Sequence, residues 1–118
     1  MAKRSNKYGA KKADCLHGHK HDSKTEAARC NELHDDQATG LISDIIVHPQ
    51  YYFHINGQPL KHPKGRRIGI KADWAYLDNA SGNTVVEDRK GFRTRDYVLR
   101  VAIFRACYPE IEFRETRG

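Results

Sequence analysis

The sequence predicts a single α/β domain in which a mixed β-sheet is flanked by helices. A chain of 118 residues can bury one modest hydrophobic core but not two. Two segments repeat apolar residues at helical spacing, and between and after them lie short runs rich in branched apolar residues. These observations predict the order helix, long or broken strand, strand, strand, helix and strand, with the helices packed on the sheet.

The first helix is predicted from its start signal. It is preceded by residues 16–21, which have Gly18 at their centre and favour a short strand or a hairpin. Ser23 and Glu26 then fit a capping box, in which a serine hydroxyl and a glutamate carboxylate each satisfy a backbone N–H at the helix start. We expect this helix to run to about Thr39, because the glycine that follows favours termination.

The first main strand is predicted to be long or broken. Residues 41–47 are rich in branched apolar side chains, Pro49 interrupts the run, and residues 51–55 continue it. Asn56-Gly57 is a strong hairpin signal, because both residues accept the positive φ angles that a two-residue turn requires. We therefore expect the chain to reverse direction at this dipeptide.

The C-terminal half is predicted to form a strand pair followed by a strand–helix–strand unit. Strands over 68–77 and 84–90 are joined by a short turn and should be antiparallel. Thr94 can cap a second helix that runs to about Cys107, and residues 110–114 form the last strand. A helical crossover of this length favours a parallel, right-handed pairing of the two strands that it joins.

Basic residues are concentrated at the two ends of the chain. The formal net charge is +6, from 21 lysines and arginines against 15 acidic residues. Residues 1–24 and 89–118 are basic, whereas residues 25–88 are acidic. Basic chain ends favour the binding of a polyanion such as nucleic acid, although their only effect can also be to increase solubility. Residues 1–13 are polar and aperiodic, so we expect a flexible basic tail followed by one domain over 14–118.

Cysteine and histidine residues cluster before and within the first predicted helix. They are Cys15, His17, His19, His21, Cys30 and His34. In a straight strand the first four would share one face but span about 20 Å, which is too far for one tetrahedral zinc site. A histidine-rich polar strand is therefore the preferred interpretation. Zinc bound by fewer of them, together with Cys30 or His34, is the alternative.

The most informative residues are acidic side chains in two adjacent predicted strands. Asp73 lies within an apolar strand, and Asp88 and Lys90 lie at the end of the next one. Aspartate is disfavoured in strands, so two such placements need a compensating interaction. Side-chain alternation puts Asp88 and Lys90 on one face, and the hairpin register can bring Asp73 opposite them. Glu87 points to the other face and is expected to form a salt bridge or meet a partner.

Two carboxylates and an ammonium group at one end of a sheet favour metal-dependent phosphodiester hydrolysis. Proteins hold Mg²⁺ with a few carboxylates together with water and phosphate oxygens, and Mn²⁺ prefers similar ligands. A lysine beside such an ion can orient the attacking water or stabilise negative charge on the phosphate. The alternative is a structural ion pair between Lys90 and either aspartate.

These residues resemble a known nuclease signature. Asp73 followed by Asp88-Arg89-Lys90 resembles the D…(D/E)-x-K motif of the PD-(D/E)XK nuclease superfamily. The predicted element order also matches the αβββαβ restriction-endonuclease-like core of that superfamily. Four segments resemble a small phage-encoded family that is similar to Holliday-junction-resolvase-like endonucleases; they lie at residues 6–12, 21–27, 72–76 and 86–92.

The resemblance implies a role for each of four residues. Asp73 and Asp88 hold the metal, and Lys90 is the catalytic lysine. Glu26, on the first helix, reaches the same site as an additional acid and metal ligand. Glu26 has a competing role, because a capping box would use its carboxylate on the backbone. Arg89 stands where the superfamily usually has an apolar residue, so that face of the strand is either exposed or covered by a partner.

The sequence therefore predicts a Mg²⁺-dependent DNA endonuclease, with Mn²⁺ as a substitute metal, acting on branched or junction DNA in phage recombination or replication. Relatives that cut branched DNA are dimers, so a homodimer is expected by analogy. Candidate DNA contacts are Lys61, Lys64, Arg66, Arg67, Arg93 and Arg95; for the first four, a solvated loop is the alternative. The alternative function is a non-catalytic or degenerate nuclease-fold accessory protein that binds DNA.

The expected compartment is the cytoplasm, that of the host cell if the chain is phage-encoded. No apolar run approaches the roughly 20 residues of a membrane helix, so no membrane partner is expected. The basic N-terminal segment leads into no apolar stretch, which argues against a secretory signal. The three cysteines show no disulfide pattern, as is typical of proteins in a reducing environment.

Overall fold

The computed structural model describes residues 12–21, 23–90 and 92–117, with the backbone alone for residue 20. The predicted tail over 1–13 therefore lies outside the described residues except for its last two positions, and Ala13 already belongs to a short strand. In chain order the elements are β1 (Ala13–Asp14), β2 (Lys20–His21), α1 (Lys24–Ala38), β3 (Ile42–Val47), β4 (Gln50–Tyr52), β5 (His54–Ile55), β6 (Gln58–Pro59), β7 (Gly69–Lys71), β8 (Trp74–Asp78), β9 (Thr84–Lys90), α2 (Arg95–Cys107) and β10 (Glu112–Arg117).

A four-stranded mixed sheet forms the centre of the molecule. Its spatial order is β10-β9-β8-β3. β8 runs antiparallel to both β3 and β9, whereas β9 and β10 are parallel and are connected through α2. The predicted mixed sheet with flanking helices is confirmed, as are the antiparallel hairpin and the parallel strand–helix–strand unit.

The two helices cover opposite faces of this sheet. Trp74 and its neighbour Ala75 point to opposite sides of β8, as strand alternation requires. Trp74 packs in one core cluster with Leu33 of α1, whereas Ala75 packs in the other with Phe104 of α2. The sheet is therefore a central layer between two helical layers, and each helix can bring side chains to the sheet from its own side.

Both helices begin at the predicted caps. The Ser23 hydroxyl accepts a hydrogen bond from the backbone N–H of Glu26 at 3.2 Å, and the Thr94 hydroxyl accepts one from that of Tyr97 at 3.0 Å. Each cap satisfies one of the N–H groups that a helix start leaves without an intrahelical acceptor. Gly40, with φ of 84°, follows the end of α1 as predicted.

The predicted long strands are broken where the central sheet ends. The segment predicted over 41–55 divides at His48 and Pro49, and the strand predicted over 68–77 divides at Ala72 and Asp73. β4 and β7 leave the central sheet and pair with each other. The broken form of the first strand is confirmed, because His48 adopts a left-handed φ of 56°, which turns the chain before the proline. The prediction of one strand over 68–77 was wrong, because Ala72 and Asp73 lie outside both β7 and β8.

The turn between β5 and β6 lies where the sequence predicts it, whereas the last strand begins later than predicted. β5 and β6 form a hairpin around Asn56 and Gly57, whose φ angles of 51° and 75° confirm the predicted turn. The last strand occupies Glu112–Arg117 rather than 110–114. It begins later because the Tyr108 carbonyl accepts a hydrogen bond from the Ile111 N–H at 3.1 Å, which closes a turn after α2.

Neither described helix is long and apolar enough to cross a membrane.

Candidate active site

Two aspartates face each other at the end of the β8–β9 hairpin. Trp74 is paired with Glu87, so continuing this register by one residue sets Asp73 opposite Asp88. The Asp73 carboxylate accepts a hydrogen bond from the backbone N–H of Arg89 at 2.7 Å, which fixes it against β9. Asp88 is only 1% exposed. The structure therefore brings together the two carboxylates that the sequence singles out.

A third carboxylate reaches this position from α1. Glu26 lies in the first turn of the helix and is buried. One of its carboxylate oxygens is 2.6 Å from Nδ1 of His21 and 3.7 Å from Nε2 of His48. The backbone N–H of His48 donates to the carbonyl of Asp73 at 2.8 Å, so the strand break brings His48 against both Glu26 and the backbone of Asp73. Glu26 thus supplies its backbone N–H to the Ser23 cap while its side chain faces the sheet end.

Lys90 completes the group on the same side of β9 as Asp88. Its ammonium nitrogen is 3.3 Å from Oδ2 of Asp88 and 4.8 Å from the centre of the Tyr97 ring. About a third of the lysine side chain is exposed, so the ammonium group borders solvent. All four residues expected to form the site, Glu26, Asp73, Asp88 and Lys90, therefore converge at one end of the central sheet.

Burial, together with the neighbouring carboxylates, raises the pKa values of the two aspartates. Burial raises the pKa of Asp73 to about 7, and the charge of Glu26 adds to the rise. Burial likewise raises the pKa of Asp88 to about 7, with a further contribution from the charge of Asp73 and an opposing one from Lys90. These shifts mean that the site is short of positive charge when its acids are ionised.

Asp88 also lacks the hydrogen bonds that a buried carboxylate ordinarily receives. Both of its oxygens are inaccessible to solvent, and within the described part of the chain neither accepts a hydrogen bond. The contact with Lys90 is an ion pair at one oxygen only. Buried carboxylates without donors are costly, whereas a bound cation satisfies both charge and lone pairs. A divalent ion with a preference for oxygen ligands is therefore one group that would satisfy Asp88.

Glu87 belongs to a different structure on the opposite face of β9. Its buried carboxylate accepts from Nε and Nη2 of Arg29 at 2.7 and 3.0 Å, and the Tyr76 hydroxyl donates to it at 2.6 Å. The expectation that Glu87 forms a salt bridge and points away from the site is confirmed. This ion pair fastens α1 to the sheet one helical turn beyond Glu26.

Some of the predicted DNA contacts line a basic groove beside the site. The groove lies between β4, β7 and the start of α2, and its basic lining is Arg66, Arg67, Lys71 and Arg100. Tyr97 also lines it, and the same ring contacts Lys90. The groove therefore leads to the acidic cluster. Of its basic residues, Lys71 and Arg100 were not predicted from the sequence.

The remaining predicted contacts lie elsewhere. Lys61 and Lys64 are exposed in the loop but do not line the groove. Arg93 pairs with Glu115 at 3.4 Å, and Arg95 is exposed at the first residue of α2. Of the six predicted contacts, the structure thus assigns Arg66 and Arg67 to the surface that adjoins the site.

The matching family model covers almost the whole chain. It spans residues 5–117 and is described as Protein of unknown function (DUF1064). The chain belongs to this family. No curated protein and no solved structure matches it. The chemistry of this DUF1064 chain must therefore be argued from its own residues.

Sequence reasoning did not place two histidines at the carboxylate site of this DUF1064 chain, and it kept zinc in the neighbouring cysteine and histidine cluster only as an alternative. His21 and His48 contact Glu26. His21 stands in the cysteine and histidine cluster and at the start of the segment over 21–27, whereas His48 stands in no motif. A histidine directly before Pro49 at the end of a strand is the only signal for His48. The cluster has the composition of that alternative, three residues of the 15–21 segment together with Cys30, because the structure brings Cys15, His19, His21 and Cys30 together.

Proposed function

We propose that this protein is a divalent-metal-dependent DNA endonuclease built on a restriction-endonuclease-like core. The observation that carries the proposal is the convergence of three carboxylates and one lysine at a single end of the sheet. The element order α1-β3-β8-β9-α2-β10 agrees with the αβββαβ arrangement expected from the resemblance to PD-(D/E)XK nucleases. An ordinary surface ion pair explains the group poorly, because surface pairs do not bury an aspartate that accepts no hydrogen bond within the described residues.

The residues divide into ligands and a charge stabiliser. Asp73, Asp88 and Glu26 would hold Mg²⁺, or Mn²⁺ in its place, through carboxylate oxygens. When bound, such an ion supplies a Lewis acid for a phosphate oxygen and lowers the pKa of water beside it. Lys90 places a positive charge next to Asp88 at the border with solvent, where it would stabilise the negative charge that develops on a phosphate.

The basic groove supports DNA as the substrate. Its guanidinium and ammonium groups can neutralise backbone phosphates on either side of the scissile bond, and Tyr97 connects the groove to Lys90. The preference for branched or junction DNA and the homodimer rest on the resemblance and remain parts of the proposal. A two-fold assembly would set two such sites on opposite strands of one junction.

The deciding experiment compares cleavage by matched variants. Asp88→Asn removes a metal ligand and should abolish Mg²⁺-dependent cleavage of plasmid and four-way-junction DNA. Lys90→Ala should lower it by about 10²–10³-fold, the usual cost of removing one group that stabilises developing charge. Asp35→Asn and Lys24→Ala change exposed residues of α1 and should leave the rate unchanged. DNA binding by Asp88→Asn should persist or tighten, because one repelling charge is gone.

A wild-type protein without nuclease activity would contradict the proposal. If the wild-type protein cleaves no supercoiled, nicked, branched or single-stranded DNA with either Mg²⁺ or Mn²⁺, the endonuclease proposal is wrong. If that inactive protein still binds DNA through the groove, it is the non-catalytic DNA-binding accessory protein that the sequence offers as an alternative.

A further inference from the structure

A second group of metal-ligating side chains lies on the α1 side of the molecule. Sγ of Cys15, Sγ of Cys30 and one ring nitrogen each of His19 and His21 all lie within 4.8 Å of one another. Nδ1 of His19 is 3.4 Å from the first sulfur and 3.6 Å from the second. With Zn–S of about 2.3 Å and Zn–N of about 2.05 Å, a tetrahedral zinc site sets sulfur and nitrogen about 3.5 Å apart. These two sulfur–nitrogen distances therefore already match those of a tetrahedral zinc site.

The group exists because the chain turns sharply between β1 and β2. Gly18 has φ of 80°, and its N–H donates to the carbonyl of Cys15 at 3.2 Å. The N–H of Cys15 in turn donates to the carbonyl of His19 at 2.9 Å. The turn therefore folds His19 back onto Cys15, which explains why the straight-strand distance of the sequence argument was wrong.

The third and fourth members come from α1 and from the end of the hairpin. Cys30 is fully buried one helical turn after Glu26, and its sulfur faces the hairpin. His21 is also buried, and its Nδ1 is held by the Glu26 carboxylate at 2.6 Å. Coordination by His21 would therefore use Nε2, with the carboxylate behind it as the outer partner that zinc-binding histidines ordinarily have.

We propose that Cys15, His19, His21 and Cys30 bind one structural Zn²⁺ ion. Two thiolates and two neutral imidazoles cancel the charge of the ion, so the site suits a buried position. Binding releases the two thiol protons to solvent and involves no redox step. The ion would fasten the β1–β2 hairpin to α1 and would hold the imidazole of His21 against Glu26. This site shares no ligand with the carboxylate site, which it adjoins through the contact between His21 and Glu26, and its ligands are those of zinc rather than magnesium.

The test is the metal content of matched cysteine variants. Untagged protein purified without chelator should contain about one zinc ion per chain, as a closed four-ligand site predicts. Cys15→Ser and Cys30→Ser should lose it. Cys107→Ser is the matched control and should keep it, because the Cys107 sulfur instead donates to the carbonyl of His54 on the other side of the molecule. Replacement by Co²⁺ should give the intense visible bands of a tetrahedral ion with thiolate ligands.

Two further variants keep the proposal testable if the buried cysteines are needed for folding. His19→Ala changes a partly exposed ligand and should weaken zinc binding in a chelator competition at least about 10-fold, and Glu26→Gln should weaken it about 10–100-fold through His21. His17→Ala removes a histidine outside the four and should have no effect. None of these readouts depends on nuclease activity.

The outcomes that overturn the proposal are distinct from those that overturn the nuclease. They are protein that contains no zinc and takes up none, a Cys15–Cys30 disulfide in the purified protein, iron in place of zinc, or full zinc content in Cys15→Ser, Cys30→Ser and His19→Ala. A zinc-loaded protein without nuclease activity would sustain this site and refute only the proposed function.

Discussion

At the scale of single residues, the carboxylate site lowers the free energy of unfolding of the metal-free protein. The pKa values of Asp73 and Asp88 rise from an ordinary 3.8 to about 7, so the folded protein binds more protons than the unfolded chain between these values. The free energy of unfolding therefore falls as the pH rises from about 4 to about 7 and levels off above that. Active sites often carry such a cost, because the ligand and not the fold satisfies their charges.

This cost predicts a stabilising active-site substitution. In the presence of a chelator at pH 8, Asp88→Asn should raise the free energy of unfolding by about 1–2 kcal/mol, because it removes one of the crowded charges. The gain should shrink towards pH 5, where the aspartates of the wild-type protein are protonated. Mg²⁺ should stabilise the wild-type protein at pH 8 more than the variant. Urea titrations at the two pH values measure all three effects, with Asp35→Asn as control. A gain that is larger at pH 5 would contradict the pKa shifts.

At the scale of elements, the position of Glu26 depends on how α1 is fastened to the sheet. The helix has a thin apolar face, with Ala27, Cys30 and Leu33 buried. The two hydrogen bonds from Arg29 to Glu87 supply a directional contact that apolar packing alone lacks. Because Arg29 follows Glu26 by three residues, this pair fixes both the rotation and the height of the helix above β9.

We therefore expect Arg29→Met to be strongly destabilising. It leaves the fully buried Glu87 carboxylate without its guanidinium, and breaking a buried pair in this way costs about 3–5 kcal/mol. Glu32→Gln is the matched control, since it removes the exposed partner of the same arginine, at 3.0 Å, and should cost less than about 1 kcal/mol. Chemical denaturation compares the two. Equal effects of the two substitutions would show that the Glu87 pair does not hold the helix.

Local signals in the sequence predicted the elements whose causes are local. Ser23 and Thr94 cap their helices, and Asn56-Gly57 forms its hairpin, because each acts on backbone groups within a few residues. Pro49 indicated the break after Val47, whereas the division of the strand predicted over 68–77 at Ala72 and Asp73 was not predictable in this way. This division depends on the pairing of β4 with β7, whose paired residues are separated by 16 or more residues along the chain. The spacing of apolar residues in the sequence does not indicate such a long-range pairing.

In the candidate site, too, the sequence predicted the features with local causes and not those that depend on the path of the chain. The placement of Asp73 against Asp88 and Lys90 follows from strand alternation and hairpin register, so the sequence predicted it. The approach of His21 and His48 to Glu26 depends on the path of two turns, and the sequence argument did not find it. The distance that argues against a four-ligand zinc site over residues 15–21 applies to a straight strand, whereas Gly18 makes a turn.

At the scale of the whole molecule, the chain combines a net charge of +6 with an acidic site. The basic groove adjoins that site through Tyr97, so its positive potential can draw a polyanion towards carboxylates that would otherwise repel it. Arg66 and Arg67 contribute guanidinium groups to this groove, and the latter also stacks over the Tyr52 ring at 4.5 Å. These two arginines are therefore the best test of the DNA path.

The salt dependence of DNA binding measures their contribution. In the Asp88→Asn background, in which the proposed cleavage should be abolished, replacing both Arg66 and Arg67 by alanine should lower the slope of log affinity against log salt by about 2, since each lost phosphate contact accounts for about 0.9. Arg105→Ala is the control, because this arginine lies over the Phe113 ring, outside the groove. A double variant with the slope of its parent would place the DNA elsewhere, whereas a loss confined to one DNA sequence would indicate base recognition in place of backbone contact.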